Sequence, residues 1–245
     1  MTGAMTGPMH DPGAADPRTA ELATALRRVE ERIGAACAAA GRHRGGVTLV
    51  VVTKTYPAAD VARLAALGVR DVAENRDQEA ATKHAECVPL GLTWHFVGQL
   101  QTNKARSVAS YADLVHSVDR PAVAAALDRG AARAGRVLDC LLQVSLDGDP
   151  DRGGVPVPAL PALAEAVAAA TSLRLRGVMA VAPLGADPLA AFSVLPGLLG
   201  QVGKVAPGAD VISAGMSGDL EAAVACGATH LRVGTAILGR RPALG

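Results

Sequence analysis

Aromatic side chains are nearly missing from this sequence: one Trp, two Tyr and two Phe among 245 residues. Half of the chain is nevertheless apolar, much of it alanine, so a core has to be built from small side chains over many short segments. That composition suits helices packed closely on a sheet. An excess of either charge is missing too. Lys and Arg number 24 against 23 Asp and Glu, and the resulting net charge of +1 leaves no electrostatic footprint for nucleic acid or an anionic membrane. No apolar run approaches the roughly 18 residues of a membrane span. The N-terminus lacks the basic region and apolar core of a signal peptide. Cys37, Cys87, Cys140 and Cys226 show neither paired nor metal-ligand spacing, as expected of reduced thiols in a cytoplasmic protein.

What is present is an alternation. Residues 1–17 are rich in Gly, Pro, Ala and Met without periodicity and read as a disordered tail. From Arg18 to about Ala40 the apolar positions Leu22, Leu26, Val29 and Ile33 recur at helical steps, and Gly41 closes the helix. Val47–Val52 then forms a strand, with further strands expected at 69–73, 93–97, 113–118, 137–146, 173–181, 210–213 and 229–233. Helices are expected between them at 58–67, 77–86, 102–109, 121–134, 158–170, 187–202 (broken near Pro196 and Gly197) and 218–226. A glycine-rich loop spans 147–156. Eight strand–helix units of this size predict a single (β/α)8 TIM barrel over 18–245, with the N-terminal helix as an extra element. The alternative, a doubly wound open sheet, fits less well, because no GxGxxG follows the first strand. A second domain is not expected, the sequence running about a dozen residues past the eighth strand.

The stretch VTLVVVTKTYP carries the first chemical signal. Its β-branched run is that of a fully buried parallel strand, and it delivers Lys54 where the strand emerges, the face that carries chemistry in barrels. Partial burial there would free an amine to attack a carbonyl and form a Schiff base. The plain alternative is a lysine that merely snorkels to solvent. The second signal is ISAGMSGDLEAAVACGATHLRVGTAILG. Residues 213–218 are a small-residue turn into a helix, and 232–235 open from a strand into a second glycine turn. Turns after the last two strands of such barrels are where backbone amides gather on phosphate. Asp219 and Glu221 would repel a phosphate and are expected to point away. Ser217 has the competing role of a simple helix cap.

Together VTKTYP, AENRDQE, WHFVGQLQTNKAR, LLQVSLDGDPDRGG, LRGVMAV, SAGMSGDLEAAVACG and THLRVGTAILG resemble the pyridoxal-phosphate homeostasis family, itself similar to the barrel domain of alanine racemase. The resemblance runs from about Leu22 to Arg241. It implies that Lys54 holds pyridoxal 5′-phosphate as a Schiff base. It implies that Ser217, Gly234 and Thr235 hold the phosphate with Met216 beside them, that Ser213 also binds the cofactor, that Arg232 faces the pyridine nitrogen, and that Asn75 and His95 line the pocket. Departures from the family pattern are Ala73 where glycine is usual, Gln99 for proline or histidine, Leu238 for phenylalanine, and Arg152 near a frequent lysine. Lys104 and Arg106 read as a solvated helix face.

An arginine cannot accept the pyridine proton, so the ring stays a weak electron sink, and transamination or decarboxylation is not expected. The resemblance therefore implies an intracellular cofactor carrier, a monomer without catalytic residues, that serves apo pyridoxal-phosphate enzymes. The alternative is an amino-acid racemase. That chemistry needs a base on each face of the cofactor, and the only tyrosines are Tyr56 and Tyr111, of which Tyr56 falls on the lysine's side. A cofactor-free Schiff-base aldolase is a third, remoter alternative.

Overall fold

A computed structural model of the chain describes residues 16–149 and 152–239. The expected tail therefore lies outside the described residues up to position 15. Its last two residues do not belong to a tail: helix α1 (Pro17–Ala39) starts there, with Asp16 accepting from the Arg18 amide as its N-cap and Pro17 in the first turn.

Eight parallel strands follow: β1 (Thr48–Val52), β2 (Asp71–Glu74), β3 (Thr93–Phe96), β4 (Leu114–Val118), β5 (Leu138–Ser145), β6 (Leu173–Met179), β7 (Val211–Ser213) and β8 (His230–Val233). Each pairs with the next, and β8 returns to pair with β1, Val50 opposite Arg232, so the sheet is a closed barrel. Closure removes both sheet edges. The linking helices are α2 (Ala58–Ala66), α3 (Asp77–Cys87), α4 (Ala105–Tyr111), α5 (Pro121–Arg133), α6 (Leu160–Ala168), α7 (Pro188–Phe192), α8 (Leu195–Val202), α9 (Leu220–Ala225) and α10 (Thr235–Leu238). The fold is a TIM barrel.

The main apolar core lies between the strands and this helical ring, with Val51, Val72, Val115, Leu142 and Val233 facing outward from the barrel onto the helices. The barrel interior holds a small apolar cluster, Leu114, Leu141, Met179 and Val211. Several other inward positions are polar, and they lead to the site.

α1 is less an extra element than the ring's missing member. Among the described residues after β8 only the four-residue α10 is helical, and α1 packs against α9, α10 and α2, filling the eighth position. Arg18 ties it down, donating to Asp60 at 3.0 Å and to the carbonyl of Leu238 at 3.0 Å. The break expected at Pro196 and Gly197 falls earlier, at Ser193 and Val194, because Pro196 occupies the first turn of α8, where no amide hydrogen is required. The glycine-rich loop is not wholly irregular, since Val155–Pro156 pair with the end of β5.

Candidate functional site

Lys54 leaves the C-terminal end of β1 and is exposed. The partial burial expected of it is not met, because the strand ends two residues earlier, at Val52, and the chain turns outward at once. That turn is unusual. Thr55 has φ 73, the one positive φ of a non-glycine residue among the described residues, and a β-branched residue rarely adopts it. Its neighbours explain how it persists. The Thr55 amide donates to Glu79 Oε1. Glu79 also meets Lys83 Nζ at 3.0 Å, and Lys83 Nζ donates to the Thr53 carbonyl at 2.9 Å and to Glu74. Thr53 Oγ1 donates to the same Glu74 oxygen at 2.7 Å. Glu74 is fully buried, and burial pushes its carboxyl above the usual range against the opposing pull of Lys83.

Asn75 follows β2 at the same mouth. Its Oδ1 is buried without a partner. The segment after β3 presses directly on it: a Cβ on Gly98 would stand 2.1 Å from the Asn75 carbonyl oxygen, so only glycine fits. A cleft of about 470 Å³ opens from Asn75 between Arg76, Gln99, Leu100, Gln101 and Lys104. Lys104 thus faces a cleft, whereas Arg106 is exposed.

The turns after β7 and β8 meet on the other side of the mouth. Ser217 Oγ accepts from the Ala236 amide at 3.2 Å and from Thr235 Oγ1 at 3.1 Å. Ser217 therefore stitches two turns together and does not cap α9, whose N-cap, Asp219, makes no side-chain capping bond. Gly234 lies so close to β1 that a Cβ would be 3.1 Å from the Val52 carbonyl. Glu221 points away, onto Arg32 at 2.8 Å. Asp219 does not; its Oδ1 takes the Met216 amide, because the small-residue turn curls back on itself there. The Met216 side chain is half exposed beside it.

Beneath the mouth the inward polar residues form one continuous column. Arg232, buried on β8, donates to Ser213 Oγ at 2.5 Å and to the Ala180 carbonyl at 2.9 Å. Ser213 Oγ lies 2.9 Å from His116 Nδ1, His116 Nε2 lies 2.9 Å from His95 Nδ1, and His95 Nε2 lies 3.0 Å from Asp71 Oδ1. The ends fix the direction. A carboxylate only accepts, so with neutral rings His95 donates to Asp71, His116 donates to His95, and Ser213 donates its hydroxyl hydrogen to His116 while accepting from Arg232. Burial holds the His116 imidazole well below its usual pKa and therefore neutral, as this pattern requires. Burial also lowers Arg232 to about 10, which leaves it charged at neutral pH.

The nine residues singled out from the sequence thus separate into two layers. Lys54, Asn75, Met216, Ser217, Gly234 and Thr235 surround the mouth, whereas Ser213, Arg232 and His95 lie in the column below, with both ring nitrogens of His95 engaged. Sequence reasoning missed Asp71, Glu74, Glu79, Lys83 and His116. Two carried a readable signal: Glu74 sits in the Ala-Glu-Asn motif, and His116 interrupts the buried run Leu-Val-His-Ser-Val.

The family model for the N-terminal domain of alanine racemase matches residues 26–242. The pyridoxal phosphate homeostasis protein of Mycobacterium leprae (strain TN) is 45% identical over 241 residues, 91% of this chain and 93% of its own length. The chain belongs to the pyridoxal phosphate homeostasis family. Among solved structures, PipY of Synechococcus elongatus PCC7942 with pyridoxal phosphate bound superposes with a TM-score of 0.79 at 36% identity, covering 89% of this chain and all of PipY. Alanine racemase of Corynebacterium glutamicum shares the fold at 18% identity, TM-score 0.69, over 93% of this chain and 63% of the racemase. The family's barrel is therefore the one built here.

Proposed function

We propose that this chain binds pyridoxal 5′-phosphate through a Schiff base to Lys54 and keeps the free aldehyde low as an intracellular carrier. The observation that carries the reading is the convergence at one mouth of an exposed lysine and two turns joined by Ser217. The residues fit the group. Turn amides and the Ser217 and Thr235 hydroxyls suit a phosphate, the glycine at 234 keeps the backbone open, and the orphaned Asn75 Oδ1 awaits a donor. Bound there, the cofactor supplies an electrophilic aldehyde. Lys54 supplies the amine, and Arg232, held by Ser213 and Ala180, supplies a fixed cation below.

The lysine inventory favours Lys54. Only four lysines exist; Lys83 is 5% exposed and fully engaged, Lys204 follows α8 at the opposite end of the barrel, and Lys104 lies in the cleft. A racemase is disfavoured by both tyrosines. Tyr56 OH donates to the Gly239 carbonyl at 2.8 Å with Arg18 over its ring, and Tyr111 is buried, its hydroxyl pushed far up in pKa and bonded to Asp77. Neither offers a base opposite Lys54. The carrier so proposed is a cytoplasmic monomer that delivers cofactor to apo-enzymes; its four cysteines are free thiols, and no helix among the described residues is long and apolar enough to cross a membrane.

The test is a visible spectrum with pyridoxal 5′-phosphate, borohydride reduction and peptide mass. A band lost on reduction and a label on Lys54 are expected; a label on Lys104 or Lys204 would overturn the assignment. Loaded protein incubated with alanine in deuterated water should leave its configuration unchanged, and rapid conversion of either enantiomer would establish the racemase instead. Transfer is checked by reactivation of an apo-enzyme with an aldehyde scavenger present, and the monomer by gel filtration.

A further inference from the structure

We infer that Glu79, backed by Lys83 and Glu74, is a positioning residue that clamps the turn carrying Lys54. This inference rests on the reading of Lys54 as the cofactor lysine. The clamp grips the chain on both sides of that residue. Lys83 Nζ holds the Thr53 carbonyl at 2.9 Å, and Glu79 holds the Thr55 amide. The backbone groups flanking Lys54 are therefore fixed, while its own side chain stands exposed. Both clamping residues lie on α3, one turn apart, so a rigid helix and not a loop sets the geometry. The grip has something to hold: Thr55 at φ 73 is the only non-glycine residue among those described with a positive φ, and threonine leaves that conformation unless it is tied.

The clamp's anchor is built for rigidity. Lys83 and Glu74 are 5% and 0% exposed, and their pair is reinforced by Thr53 Oγ1 on the same carboxylate oxygen. Buried pairs of this kind specify geometry more than they add stability. Glu79, by contrast, is partly exposed at 27%, and its removal leaves Lys83 still paired with Glu74, so no buried charge is orphaned and the fold survives.

The experiment compares wild type with Glu79→Ala, Glu79→Gln and the double variant Glu79→Ala/Thr55→Gly, each checked by circular dichroism. One arm uses protein without cofactor and reads amide hydrogen exchange at Thr55 by NMR. The other mixes protein with pyridoxal 5′-phosphate and reads the rate at which the visible band appears. Glu79→Ala should speed exchange at Thr55 and slow the band by about tenfold, the scale of one strained residue. Glu79→Gln, whose Oε1 still accepts, should fall between. Thr55→Gly on top of Glu79→Ala should recover most of the rate, since glycine adopts that φ without strain. A purely structural Glu79 would give no such rescue. Unchanged exchange at Thr55 in Glu79→Ala, or a slow band that glycine does not restore, overturns the clamp. If wild type forms no band at Lys54, the cofactor reading fails by itself, and the exchange arm alone decides the clamp.

Discussion

Ser213→Ala is the most informative single change in the polar column. The hydroxyl is completely buried and serves two partners at once, accepting from Arg232 at 2.5 Å and meeting His116 Nδ1 at 2.9 Å. Alanine removes it without creating space for water. Two buried groups then lack a partner, one of them charged. A buried unsatisfied group costs about 1–3 kcal/mol, more when charged, so a loss of about 3–5 kcal/mol is expected, a large share of the roughly 5–15 kcal/mol by which domains are stable. Equilibrium urea unfolding at pH 7 measures it. The column also predicts non-additivity. In His116→Leu one of those two orphans no longer exists, so the double variant should cost at least about 1 kcal/mol less than the two single changes together. A loss below about 1 kcal/mol for Ser213→Ala, or strict additivity, would refute a continuous chain from Arg232 to Asp71.

Acid should weaken the column and His230 beside it, whose ring centroid stands 6.1 Å from that of His95 and 6.4 Å from that of His116. Burial lowers His230 from 6.5 to about 4 and His116 further, and a base with a depressed folded pKa contributes stability that is lost as pH falls below its unfolded value. At about 1.4 kcal/mol per unit, His230 alone accounts for about 3 kcal/mol between pH 6.5 and 4, and His230→Gln should flatten the urea-midpoint profile over that window. Lys54→Ala should abolish the borohydride-fixed label yet move the urea midpoint by less than about 0.5 kcal/mol, as expected of an exposed side chain. Pyridoxal, lacking the phosphate, should bind more weakly by several orders of magnitude, the worth of two or three charge-assisted hydrogen bonds at about 1.5–3 kcal/mol each; equal dissociation constants for the two aldehydes in a spectral titration would remove the phosphate role from the Ser217–Thr235 turns. Gly98→Ala should lower the melting temperature and weaken cofactor binding together, because its Cβ would fall 2.1 Å from the Asn75 carbonyl.

The local pattern determined the barrel. Valine-rich runs of strand length, each followed by an amphipathic segment and a glycine stop, admit few arrangements other than a closed parallel sheet inside a helical ring. Lys54 and the paired turns were legible for the same reason: their chemistry depends on where a strand ends, which is a local property of the chain. Tertiary structure alone decided the rest. That α1 completes the ring depends on the shortness of α10 and on Arg18 reaching residues 42 and 220 positions away. The turn of Lys54 is shaped by an acid 24 positions on, and the column under Arg232 draws on β2, β3, β4 and β7. Buried polar groups find partners wherever the barrel brings them together, and the distances that select them exist only once it has closed.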